Sequence, residues 1–137
     1  MQDDIFLKKS TEVADNLLEI LEVELEELTS KEKELIAAYS FGILAKMAQE
    51  NSISEELKNS GVKKLFMEVL KCTTKEADEL LKRLFGSIQD KSDEGFHIMI
   101  YQRKSSYHDY NTENYNEIYN NLTNMIDIVA RKEYECY

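Results

Sequence analysis

Apolar residues recur three or four positions apart along most of this chain, in blocks separated by short polar runs, which is the spacing of amphipathic helices. The first block, about 3–28, sets Val13, Leu17, Ile20, Leu21 and Leu28 on one face and predicts one long helix. Thr29 followed by Glu32 has the form of a capping box, so a second helix is predicted to start near Ser30. Between Leu35 and Ala48 that helix is apolar over much of its circumference, which predicts a central and largely buried element. Gly42 in its middle costs roughly 1 kcal/mol relative to alanine, and close approach by a neighbouring helix is the expected reason.

Ser52 and Glu55 form a second capping-box pattern. They predict a short helix to about Asn59, with Gly61 near its C-cap. Val62 to Lys71 is a further helical stretch. Thr73 and Glu76 cap a helix carrying Ala77, Leu80, Leu81, Leu84, Phe85 and Ile88. Gln89 to Gly95 is polar and reads as a loop. Phe96 to Tyr101 is short and apolar, and its periodicity fits a buried strand as well as a helical turn. Gln102 to Asn111 is polar again. A last helix over about 112–134 has Tyr115, Ile118, Tyr119, Leu122, Met125, Ile126 and Val129 on its apolar stripe. The pattern predicts a mainly all-α bundle of about five to six helices, as one domain over 1–137, with at most a short strand or extended segment near 96–101.

Composition sharpens this picture. The chain has no proline and four glycines, so little interrupts long helices. Its formal net charge is −10, and residues 1–60 hold 14 acids against 6 bases, so −8 of it lies there. Such a field disfavours nucleic acid and anionic membrane and favours a basic partner, although acidity also serves solubility alone. Two cysteines, Cys72 and Cys136, form no paired motif and fit a reduced compartment. No signal peptide or membrane span is legible, so the expected location is cytoplasmic.

Candidate chemistry is sparse. There is no phosphate-binding glycine loop and no nucleophile elbow. Of the two histidines, His97 follows Glu94 by three and His108 follows no glutamate at that spacing, whereas a di-iron bundle needs the motif on two helices. Glu12-x-x-Asp15 and Glu19-x-x-Glu22 resemble the acidic pairs of magnesium-dependent nucleotide hydrolases, but both stand on one helix. No cofactor and no catalytic residue is expected. Two features point instead to binding. Glu12, Asp15, Glu19, Glu22 and Glu26 are spaced 3, 4, 3 and 4, forming an acidic stripe that no lysine or arginine interrupts. Like charges four apart cost a helix a few tenths of a kcal/mol each, so the stripe is either a solvated face or a surface for a basic partner. Five tyrosines fall between Tyr101 and Tyr119. Tyr115 and Tyr119 match the stripe of the last helix and are expected in the core. Tyr107 and Tyr110, in a polar stretch, are the expected interface anchors.

Ala38-Tyr39-Ser40-Phe41-Gly42-Ile43 lies inside an apolar helix. After it come a Thr-capped amphipathic helix, an acidic loop and the patch His97-Ile98-Met99-Ile100-Tyr101. Over roughly residues 35–130 this order resembles the small helical immunity proteins of bacterial polymorphic toxin systems, in particular immunity-protein family 48. The resemblance implies a non-catalytic cytoplasmic protein that binds and neutralises a cognate toxin. A nuclease or other basic toxin domain would suit the acidic charge. A helical adaptor or regulator of a host protein is the alternative reading, and a metal-dependent nucleotide hydrolase a lesser one. A homodimer is compatible with the sequence, which does not specify it.

Overall fold

The computed structural model describes residues 2–90 and 103–135, with side chains over 4–86 and 106–127. Among these residues the chain forms six α-helices and no strand. They are α1 (Gln2–Leu21), α2 (Ser30–Glu50), α3 (Glu55–Glu68), α4 (Thr74–Asp90), α5 (Arg103–Asn111) and α6 (Tyr115–Glu135). A single 3-10 turn, Leu25–Glu27, lies between α1 and α2. The patch 96–101, expected as strand or helical turn, lies outside the described residues, as do His97 and Cys136. No helix of the structure is long and apolar enough to cross a membrane.

The bundle is built around α2. Every residue from Leu35 to Leu44 is buried, so the helix is covered on all sides. It packs against α1, α3, α5 and α6, most extensively against α5. The expectation of a central helix is met for the reason the sequence offers: a helix apolar all round has no face to give to water. Around it the other helices contribute one stripe each: Phe6, Val13, Ala14 and Leu17 from α1; Val62, Leu65 and Phe66 from α3; Ala77, Leu80 and Leu84 from α4; Ile118, Leu122 and Met125 from α6.

Two of the three expected capping boxes form as written. Thr29 Oγ1 accepts from the Glu32 N–H at 3.1 Å while Glu32 accepts from the Thr29 N–H at 2.8 Å. Thr73 and Glu76 repeat the arrangement at 3.1 and 2.9 Å. Donation by the Thr73 backbone N–H, then by its side chain, holds the Glu76 carboxyl below its ordinary pKa. The third box does not form. Ser54, not Ser52, caps α3, accepting from the Leu57 N–H at 3.2 Å. Ser52 belongs to the end of α2. Its φ is 54°, and the Ile53 N–H reaches back to the Ala48 carbonyl at 2.9 Å while the Ser52 N–H points to Gln49. That is a Schellman ending, and it turns Ile53 onto the core.

The same device stops α1 at Leu21, where the pattern predicted a helix to Leu28. Glu22 has φ 57°, Val23 N–H bonds to the Leu18 carbonyl at 3.2 Å, and Glu22 N–H bonds to Glu19 at 3.1 Å. At 1.5 Å per residue, seven more residues would carry α1 about 10 Å further along its axis. Turning early instead folds Leu25 and Leu28 back against the core. A third such ending, with Glu113 at φ 59°, separates α5 from α6, so the last helix begins at Tyr115 rather than 112.

Gly61 is not a C-cap. The two helical stretches expected on either side of it are one helix, α3, and Gly61 is buried in its middle. A Cβ there would stand 2.5 Å from Ser10 Oγ and 2.9 Å from the Phe6 ring. Ser10 cannot easily yield, because its hydroxyl donates to the Phe6 carbonyl at 2.8 Å. The glycine therefore marks where α1 and α3 meet, the most extensive of the α1 contacts. The close approach expected of a glycine is thus seen here; Gly42 is buried in α2.

Within the segment 102–111, expected as a polar connection, Arg103–Asn111 form the helix α5. Only Tyr107 and Tyr110 are large and apolar within its described side chains, and both lean on the core. The small Ser106 is buried where α5 meets α2. The α4 helix also runs on through Gln89 and Asp90, two residues into the expected loop.

Leu44 and Leu84 are fully buried, as expected from their stripes. Replacing either with alanine should cost about 2–5 kcal/mol in chemical denaturation. Backbone effects should run in opposite directions at two other sites. For Gly61→Ala, overpacking of about 1–3 kcal/mol outweighs a helix-propensity gain of about 1, so denaturation should show a net loss of up to about 2 kcal/mol. At Ser52, an exposed residue held at positive φ, Ser52→Gly should gain about 0.5–1 kcal/mol.

Candidate functional site

The acidic stripe is exposed along its whole length, but it is not one helical face. Glu12, Asp15 and Glu19 project from α1 opposite its buried Val13 and Leu17. Glu22 is the left-handed residue that ends the helix, and Glu26 lies in the 3-10 turn beyond it. Among the described residues, none of these five carboxylates takes part in an ion pair. The pairs that do form use Glu34, Glu50, Glu55 and Asp78. No basic residue stands in the last turn of α1, where carbonyls already present partial negative charge. The C-terminal end of α1 is thus an uncompensated negative region.

The tyrosines divide opposite to expectation. Tyr115 and Tyr119 are 43% and 45% exposed, two of the three exposed large apolar side chains among the described residues. The stripe that α6 buries is narrower than the periodicity suggested: Ile118, Leu122 and Met125 fill it. Tyr119 follows Ile118 by one position, about 100° around the helix, and so stands off to the side. Tyr107 and Tyr110, expected as the exposed pair, are half-buried against the core. The Tyr110 hydroxyl accepts a hydrogen bond from Asn16 Nδ2 at 2.8 Å, tying α5 to α1. Burial raises the Tyr110 pKa above its ordinary value; the Asn16 bond opposes this and Glu12 adds to it.

These shifts bring two separate sequence features together. Asn16, Glu19, Ile20 and Glu22 from α1 face Tyr115, Asn116 and Tyr119 from α6 across an open groove of about 510 Å³. The acidic stripe and a tyrosine pair share this site, although the pair is not the one the sequence suggested. Tyr107 lines a different groove of about 350 Å³, with Ile5, Phe6, Lys9, Met47, Asn51, Ile53 and Asn111. Ile5, the third exposed apolar side chain, lies there.

Two features had no signal in the sequence. Lys58 is buried, paired with Glu55 at 2.6 Å, with its ammonium 5.3 Å from the Phe41 ring centre and 5.7 Å from that of Phe85. The two rings meet edge to face at 5.9 Å. Contacts between α3, α2 and α4 assemble this site, and no local pattern marks it. The Tyr39 hydroxyl is buried beside Ser106 and Asn121; burial raises its pKa, and those two side chains oppose the rise. Cys72 is half-buried, and burial likewise raises its thiol pKa, which makes it a poor nucleophile at neutral pH. Among the described residues, no three His, Cys, Asp or Glu side chains converge as a metal site would require.

The described residues thus form an all-helical fold in which an acidic surface without ion pairs at the end of α1 lies beside exposed tyrosines at the start of α6. Residues 6–130 match the Immunity protein 48 family, and the chain belongs to that family. It is an immunity protein. No curated protein and no solved structure matches it.

The buried tyrosines set a limit at high pH. Tyr39 and Tyr110 have pKa values raised by burial, so the native state holds their protons more tightly than the unfolded state does. The stability they confer is complete below the unfolded tyrosine pKa and is lost as pH rises through the folded values. An ultraviolet titration should show part of the tyrosine ionisation delayed beyond pH 10 and released together with the loss of helical circular dichroism. Tyr110→Phe should remove one delayed group.

Proposed function

We propose that this immunity protein binds and neutralises a toxin domain stoichiometrically, without catalysis, through the surface formed by the end of α1 and the start of α6. Family membership over residues 6–130 is the observation that carries the reading. The charge supports its finer part. With −10 overall and an unpaired run of Glu12, Asp15, Glu19, Glu22 and Glu26, the protein favours a basic partner, as a nuclease toxin would be. The carboxylates would stand where such a toxin meets phosphates. Tyr115 and Tyr119 supply exposed aromatic area at low entropy cost. Tyr110 buttresses the site from behind by fixing Asn16. Tyr107 belongs to the second groove and would extend the interface only if the partner also covers that side. Neutralisation of such a toxin places the protein in the cytoplasm.

Association kinetics with the cognate toxin domain test the reading. Glu19→Lys with Glu22→Lys should slow association at low salt, and the difference should shrink as salt is raised, because steering between opposed charges is screened. Tyr115→Ala and Tyr119→Ala should act mainly on dissociation, with a loss of about 2 kcal/mol at an anchor. Unchanged rates in both sets of variants, with the helical spectrum intact, would place the interface elsewhere.

A further inference from the structure

We infer that the groove between α1 and α6 receives an arginine side chain, which, on the reading above, the partner protein supplies. The groove has room for one long side chain. Its volume of about 510 Å³ falls in the range of clefts that hold a small molecule, about 300–1,000 Å³. It also has two kinds of wall. Glu19 and Glu22 supply carboxylates with no ion-pair partner among the described residues. Tyr115 and Tyr119 supply exposed rings four residues apart on α6, within reach of one another along the helix.

Three further observations narrow the occupant. Asn16 donates its Nδ2 to Tyr110, so this donor at the groove wall is already engaged. Acceptors therefore predominate, and an occupant rich in donors fits. A carboxylate or phosphate is repelled by the two glutamates. The partial charges of the α1 C-terminus and the α6 N-terminus enter with opposite sign and offset each other, so the carboxylates set the sign of the site. A metal ion finds no convergent set of three ligands among the described residues.

Between the two cationic side chains, the geometry favours arginine. A guanidinium is planar, stacks on tyrosine rings, carries five donors in one plane and sheds water readily. An ammonium is a compact, strongly hydrated charge with three donors, and it gains less from two rings and dispersed acceptors.

The test is an NMR titration of the isotope-labelled full chain with N-acetyl-arginine amide, and in parallel with N-acetyl-lysine amide. Each probe carries one positive charge and no other. The expected result is saturable shifts at Tyr115, Tyr119 and the Asn16 side-chain amide, with the lysine probe binding about 3–10-fold more weakly. Tyr119→Ala, and separately Glu19→Gln with Glu22→Gln, should abolish saturation. These residues are exposed, so the fold should persist, and unchanged distant resonances would verify it. Equal binding of the two probes would overturn the assignment, because charge alone would then explain the site. Absence of saturable shifts at the groove would also overturn it. The two proposals fail separately. If the probes fail while Tyr119→Ala still weakens the toxin complex, the docking surface stands and the arginine assignment falls. If the arginine probe binds selectively while toxin kinetics are unmoved, the docking surface falls and the guanidinium site stands.

Discussion

The constraint on which the structure depends is that α2 has no side to give to solvent. Ten consecutive residues, Leu35 to Leu44, are buried. Covering such a helix needs neighbours all round, and α1, α3, α5 and α6 provide them. This explains why so polar a segment as 103–111 is helical. On its own α5 has little apolar surface and a length at which isolated helices are marginal. Against α2 it needs only Tyr107, Tyr110 and a small residue, Ser106, to close one side of the core.

The requirement to cover α2 also sets where the helices stop. α1, α2 and α5 all end at a non-glycine residue in the left-handed region: Glu22, Ser52 and Glu113. Each pays a steric penalty that glycine would avoid. Each is followed by a return of the chain toward the bundle, which buries residues such as Ile53 and Leu25. Partial burial of several such side chains, each worth a share of the roughly 1.5–3 kcal/mol of a fully buried one, offsets that penalty. The one glycine with a demonstrated steric need, Gly61, serves packing between α1 and α3 rather than a turn.

The proposed binding surface is a by-product of the same geometry. The early end of α1 and the start of α6 come together beside Asn16, which Tyr110 holds from α5. Carboxylates from one helix and tyrosines from another then share a groove. Neither set is costly to the fold, since both are exposed and the core is filled by other residues. A site assembled this way can change its surface residues with little effect on stability.

Much of this was present in the one-dimensional pattern. Helical spacing identified the stripes of α1, α4 and α6, the all-round apolar run singled out α2 as central, and the pairs Thr29/Glu32 and Thr73/Glu76 set two helix starts to the residue. The acidic stripe and its lack of basic neighbours were equally plain. These features are local: side chains three or four apart share a face whatever surrounds them. The early end of α1, the Ser54 cap, the unbroken α3 through Gly61, the helix α5 and the outward turn of Tyr115 and Tyr119 were decided by tertiary structure. A helix stripe has a fixed angular spacing, but its width and length depend on which neighbours arrive to cover it. Tyr119 lies one position from buried Ile118, and only the placement of α1 and α5 determines that the core stops between them.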